Sequence, residues 1–80
     1  MAIQSVVFQR KDKWTMKQMK DFLAKNNIAP LGGLSSGVDK KSTQYRWRVL
    51  DPDQFSRFIT HIVDHETPNG VKKVYLIIGL

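Results

Sequence analysis

Residues 44–55 read Gln44-Tyr45-Arg46-Trp47-Arg48-Val49-Leu50-Asp51-Pro52-Asp53-Gln54-Phe55, and the fold depends on how this stretch divides. Tyr45, Trp47 and Val49 alternate with Arg46, Arg48 and Leu50, the period of two that sends successive strand side chains to opposite faces. One face is aromatic and the other mainly cationic. The strand stops at Asp51-Pro52, where the aspartate can cap a helix and the proline can occupy its first position without removing a needed donor.

Toward the C-terminus, the spacing predicts a second helix starting at Asp51. Gln54 completes a pair resembling a capping box, and Phe55, Phe58, Ile59, Ile62 and Val63 stand at i, i+3, i+4, i+7 and i+8, the clearest helical period in the chain. Arg57, His61 and Asp64 fall on its other side, followed by His65 and Glu66. His61 and His65, four apart, would share one helix face. Histidines at a helix end commonly complement the helix dipole, and no metal site is expected from them. Thr67-Pro68-Asn69-Gly70 reads as a turn, and Val71 to Leu80 as the last strand, with Val74, Leu76, Ile78 and Leu80 on one side and Lys73, Tyr75 and Ile77 on the other. So apolar a strand should be paired inside the sheet, since unpaired it would invite aggregation.

Toward the N-terminus, Ile3 to Gln9 is a first strand with apolar residues on both faces. Thr15 followed by Gln18 forms a capping box for a helix from Met16 to about Lys25, with Trp14 and Met19 placed as a hydrophobic staple. Met16, Met19, Phe22 and Leu23 make its apolar stripe. Asn26-Asn27 can end it in the left-handed conformation, and Ala29-Pro30 leads the chain away. Leu31 to Thr43 holds few packing residues and is expected to form a weak edge strand and a loop. Its glycines, Gly32, Gly33 and Gly37, lack the Gly-Lys-Ser/Thr ending and strand-to-helix setting of a phosphate loop.

The element order strand, helix, strand, strand, helix, strand predicts an α+β fold, the ferredoxin-like split βαβ (β-α-β-β-α-β), in one domain over residues 1–80. Its antiparallel four-stranded sheet would carry two helices on one face, the first and third strands central and the Gly-rich second strand at an edge. With Tyr45, Trp47 and Val49 toward the helices, each large side chain would contribute about 1.5–3 kcal/mol by burial. The open face would then present Arg46, Arg48, Lys73 and Tyr75. With the opposite parity, Tyr45 and Trp47 would themselves form an exposed platform.

Composition bounds what such a domain does. Eighty residues allow one small core and no cleft between two lobes. Without cysteine there is neither a disulfide nor a thiolate metal site, which suits a reducing compartment. The N-terminus shows no secretory pattern and no segment approaches the length of a membrane span, so a soluble, cytoplasmic protein without membrane attachment is expected. Thirteen Lys and Arg against seven Asp and Glu leave +6, a balance that favours encounter with nucleic acid, an anionic membrane surface or an acidic protein, although dispersed lysines also serve solubility. No general base, nucleophile and stabilising group converge, so no catalytic residue, cofactor or enzyme activity is expected.

The pattern Trp14-Thr15, a helix like Met16–Lys25, Tyr45–Arg48, Asp51-Pro52 and Phe55 resembles small α+β domains encoded by bacteriophages and large DNA viruses, some attached to head-maturation proteases. The likeness covers about the whole chain. It departs in Phe22-Leu23, where Trp-Leu is frequent, and in the Gly-rich insert Gly32–Gly37. The resemblance implies a viral context, the host cytoplasm as location and a non-catalytic module.

Two binding functions are expected from these readings. In the first, the sheet face holds nucleic acid through Arg46, Arg48, Lys73 and Tyr75, with Lys40 and Lys41 as backbone clamps. The topology and aromatics compare with RNA-recognition folds, though the glycines of their third-strand signature are absent. In the second, the same face, or the edge strand near Leu34, docks a protein: a virion or assembly component, or a host factor that it inhibits. Homo-oligomerisation through an edge strand is a further expectation.

Overall fold

The computed structural model describes the backbone of all 80 residues and every side chain except that of Ser36. Strand β1 (Ala2–Gln9) passes through a 3-10 turn (Arg10–Asp12) into helix α1 (Met16–Lys25). The helix starts where its sequence requires. Thr15 Oγ1 accepts from the Gln18 N–H, and Gln18 Oε1 accepts from the Thr15 N–H, each at 3.1 Å, so two otherwise orphaned donors are satisfied. It ends with Asn27 at φ 57, an angle asparagine tolerates better than most residues. The Gly-rich segment that follows makes one helical turn, α2 (Gly33–Ser36), and then the three-residue edge strand β2 (Val38–Lys40), which pairs with β3 (Gln44–Arg48).

The predicted second helix is not there. Asp51 caps only a 3-10 turn, Pro52–Gln54, its carboxylate accepting from the Asp53 N–H at 3.0 Å, and the chain then extends into strand β4 (Phe58–Thr67). A two-residue turn, Pro68-Asn69, leads into β5 (Gly70–Gly79). The physical reason is local and tertiary together. Four of the five residues from Ile59 to Val63 are β-branched, which costs χ1 freedom in a helix and suits a pleated surface. As a strand, the same segment also pairs along β5 from Phe58 opposite Gly79 to Thr67 opposite Gly70, satisfying backbone groups that a helix would leave exposed on the outer edge of β5.

The result is an α+β fold with an antiparallel five-stranded sheet, ordered β2-β3-β1-β5-β4, and two helices. It replaces the expected four strands beneath two helices. β1 is the middle strand, β5 lies between β1 and β4, and β2 and β4 are the edges. Near its start β1 carries a bulge at Gln4, where the register shifts between Ile3 and Ser5. The Gln4 carbonyl accepts from the N–H groups of Val49 and Leu50, and its side-chain amide donates to the Leu50 carbonyl at 2.9 Å. That clamp fixes the exit of β3.

The registers settle which way each side chain faces. Val6 opposes Trp47, Phe8 opposes Tyr45 and Val74, and these residues share the side of the sheet on which α1 packs. The buried core is Val6, Phe8, Trp47 and Val74 from the sheet with Trp14, Met19, Phe22 and Leu23. Trp14 meets Phe8 edge-on, ring centres 4.6 Å apart. Trp47 is fully buried and Tyr45 is half-buried against the same cluster. The aromatic face of β3 is therefore the core face.

Candidate binding face

With Trp47 turned inward, strand alternation turns Arg46 and Arg48 outward onto the side of the sheet opposite α1. Arg46 stands opposite Val7 and Arg48 opposite Ser5 on β1; across β5, Tyr75 stands opposite Val7 and Ile77 opposite Ser5. The row continues onto β4, where Ile62 opposes Tyr75 and Thr60 opposes Ile77. Although α1 packs on the opposite side, Val7 and Ser5 are buried. They are flanked across the strands by larger residues, Arg48 and Ile77 beside Ser5 and Arg46 and Tyr75 beside Val7. Arg46 Nε and Ser5 Oγ are both buried and find no hydrogen-bond partner among the described residues, an unusual state for polar atoms in a folded chain.

Phe55 and Phe58 extend the same face. A side chain on Gly79 would point outward here, yet a Cβ at that position would collide with the Phe55 ring, so the ring lies directly on the backbone of β5. Phe58, opposite Gly79, meets Phe55 edge-on at 6.0 Å. The open face thus grades from cationic over β3 to aromatic and aliphatic over β5 and β4. Sequence reasoning placed Phe55, Phe58 and Ile62 on a helical stripe and so missed them here. The signal that would have found them is the alternation Phe58, Thr60, Ile62 against Ile59, His61, Val63.

The six residues expected to bind do not form one group. Arg46, Arg48 and Tyr75 share the open face as expected. Lys73 shares it too, but its ammonium is hydrogen-bonded and ion-paired to Asp64, its cross-strand neighbour, at 3.1 Å. Lys40 opposes Tyr45 and therefore lies on the helix side of the sheet. Lys41 lies in the tight connection after β2, where it pairs with Asp39 at 3.1 Å. Of the two lysines expected as clamps, Lys40 is separated from the arginines by strand parity, and Lys41 is neutralised by Asp39, which stands opposite Arg46.

Other cations are engaged on the helix side. Arg10 lies over the Tyr45 ring at 4.5 Å, and Lys72 lies over Trp14 while donating to Lys13 O and Gln18 Oε1. His65 stacks on Trp14, with rings 5.8 Å apart, and meets Phe22 edge-on. On a strand, positions four apart are separated by about 13 Å, so His61 and His65 cannot share a metal ion. A groove of about 560 Å³ opens between α1 and β4, lined among others by Ile3, Phe22, Ile28, Val63 and Leu76. No helix among the described residues is long and apolar enough to cross a membrane.

Comparisons with protein-family models, with curated proteins and with solved structures find no match to this chain. The site's own geometry is the basis for a functional reading.

Proposed function

We propose that this is a non-catalytic binding module that holds single-stranded nucleic acid on its open sheet face. The observation carrying the reading is the outward parity of Arg46 and Arg48 on β3, with Tyr75 and Phe58 on the same face of β5 and β4. Proteins of this binding class combine cations that track phosphates with aromatic rings on which bases stack. Arg46 and Arg48 supply the phosphate contacts. Tyr75, half-buried and therefore held in place, supplies a stacking surface, and Phe58 a second. Lys73 contributes less because Asp64 neutralises it. The fold in this reading is a split βαβ frame whose second helix has become a strand, widening the sheet available to a ligand.

The test is a titration of labelled single- and double-stranded DNA and RNA at two salt concentrations, with wild type, Arg46→Ala/Arg48→Ala and Tyr75→Ala. Loss of both arginines should weaken binding and flatten the logarithmic salt dependence by about 1.4, from roughly 0.7 per single-strand phosphate contact. Tyr75→Ala should weaken single-strand binding roughly 5- to 150-fold, corresponding to about 1–3 kcal/mol per stacked base. No binding by wild type at low salt would sink the reading.

The second reading, docking of a host or viral protein, draws on a different observation: Phe58, Ile59 and Ile62 are 43%, 49% and 50% exposed along one strand. A protein partner held there would show weak salt dependence and would respond to changes at these apolar residues more than at Arg46 and Arg48.

A further inference from the structure

We infer that the free edge of β4 pairs with β4 of a second copy, antiparallel, so that two five-stranded sheets become one of ten strands. The starting point is the state of that edge. Natural edge strands are kept short, charged, interrupted by proline or covered. The opposite edge, β2, is kept so: three residues, Val38 to Lys40, two of them charged. β4 runs for ten residues, and its first six, Phe58-Ile59-Thr60-His61-Ile62-Val63, contain no lysine, carboxylate or proline. It exposes apolar side chains on both faces, Phe58 and Ile62 on one and Ile59 on the other. An amphipathic helix laid on either face would cover only half of these. A strand added at the edge extends both faces at once and engages the outward-pointing N–H and C=O groups of alternate residues.

The distribution of charge selects a second copy as that strand. Arg57 precedes β4, whereas Asp64 and Glu66 lie in its last four residues. Antiparallel self-pairing sets the basic end of one copy beside the acidic end of the other. A dyad perpendicular to the sheet keeps like faces together, so opposed residues must have the same parity. A dyad at Asp64 or His65 would set carboxylates directly against one another, which is destabilising. A dyad at Ile62 pairs nearly the whole strand without that conflict. Ile62 then faces Ile62 of the second copy, and on either side Thr60 faces Asp64 of the second copy, a hydroxyl donor against a carboxylate. At the dyad the two Ile62 side chains meet, each flanked by the Tyr75 of its own copy, while Phe58 faces Glu66 of the second copy. The pairing needs no nucleic acid and does not depend on the function proposed above.

The experiment is sedimentation equilibrium of the full chain from low micromolar to several hundred micromolar, without nucleic acid. The expected mass rises to twice that of the 9.2 kDa chain. Ile62→Lys, which would set two ammonium groups across the dyad, is expected to sediment as a monomer while keeping the wild-type circular dichroism spectrum. Because the chain has no cysteine, Ile62→Cys provides a second readout. Residues opposed across an antiparallel pair lie about 4.5–5.5 Å apart at Cα, within disulfide reach, so mild oxidation should link two chains. Lys17→Cys, on the exposed side of α1, should not link. A wild-type monomer throughout the range, a dimer that survives Ile62→Lys, or equal cross-linking of the two cysteine variants would each overturn the inference. Should Ile62→Lys fail to fold, the cross-linking comparison decides.

Discussion

The sheet has one half that is covered and one that is not, and the two divide the labour of the molecule. Over β3, β1 and the start of β5, helix α1 and Trp14 bury Phe8, Val6, Trp47 and Val74 completely. Over β4, the same side of the sheet carries Ile59 and His61, both exposed, and touches the core only at its far end, where Val63 packs against the cluster and His65 stacks on Trp14. Both halves are apolar, so hydrophobicity alone does not distinguish them; possession of a packed partner does. Stability should therefore reside in the covered half, while the outer strand keeps apolar surface available for association.

Five substitutions test this contrast. The largest effect belongs to the centre of the covered half: Trp47→Ala or Phe8→Ala should destabilise the fold by about 3–5 kcal/mol in urea unfolding, against a typical total of about 5–15 kcal/mol. If either cost less than the β4 variants, the division would be wrong. Next, Thr15→Ala removes one half of the closed capping box and should lower the unfolding free energy by about 1 kcal/mol, detected as an earlier urea midpoint. Ile59→Ala, half-exposed on β4, should cost under about 1 kcal/mol at concentrations where the chain is monomeric. A loss of the core size would mean that something packs on this strand within the monomer. Smallest is Lys73→Ala, which breaks an exposed pair with Asp64 and should change stability by no more than about 0.5 kcal/mol. The same change frees the Asp64 carboxylate on the open face and should weaken nucleic-acid binding more than stability.

Much of the covered half was legible in the residues themselves. Thr15 and Gln18 announce the helix because a capping box acts within one turn and needs no distant partner. Tyr45 to Arg48 announce a strand with two unlike faces, while which face turns inward was decided by the register that sets Trp47 opposite Val6 on the side where α1 packs. The outward placement of Arg46, Arg48 and Tyr75 follows from that parity. The segment after Asp51 was misleading because Phe55, Phe58, Ile59, Ile62 and Val63 satisfy a helical period while also supplying apolar residues to both faces of a strand. The β-branching of Ile59, Thr60, Ile62 and Val63 and the two-residue turn Pro68-Asn69 before another strand favoured the hairpin.

The binding face was legible only in part for the same reason. Lys40, Lys41 and Lys73 advertise charge in sequence, but whether a cation is free depends on its cross-strand neighbour. Asp64 came opposite Lys73 only because β4 formed, and Asp39 reached Lys41 only at the end of the β2–β3 pair. Phe55 entered the site by lying over Gly79, a residue 24 positions further along the chain.

What the sequence determined by itself is whatever acts over a few residues: the capped helix α1, the two-faced strand β3, the halt at Asp51-Pro52 and the net positive charge. Only the tertiary structure decided whether Phe58 to Val63 would coil or extend. Strand hydrogen bonds are made with another part of the chain, and β5, with an outer edge to satisfy, was there to make them.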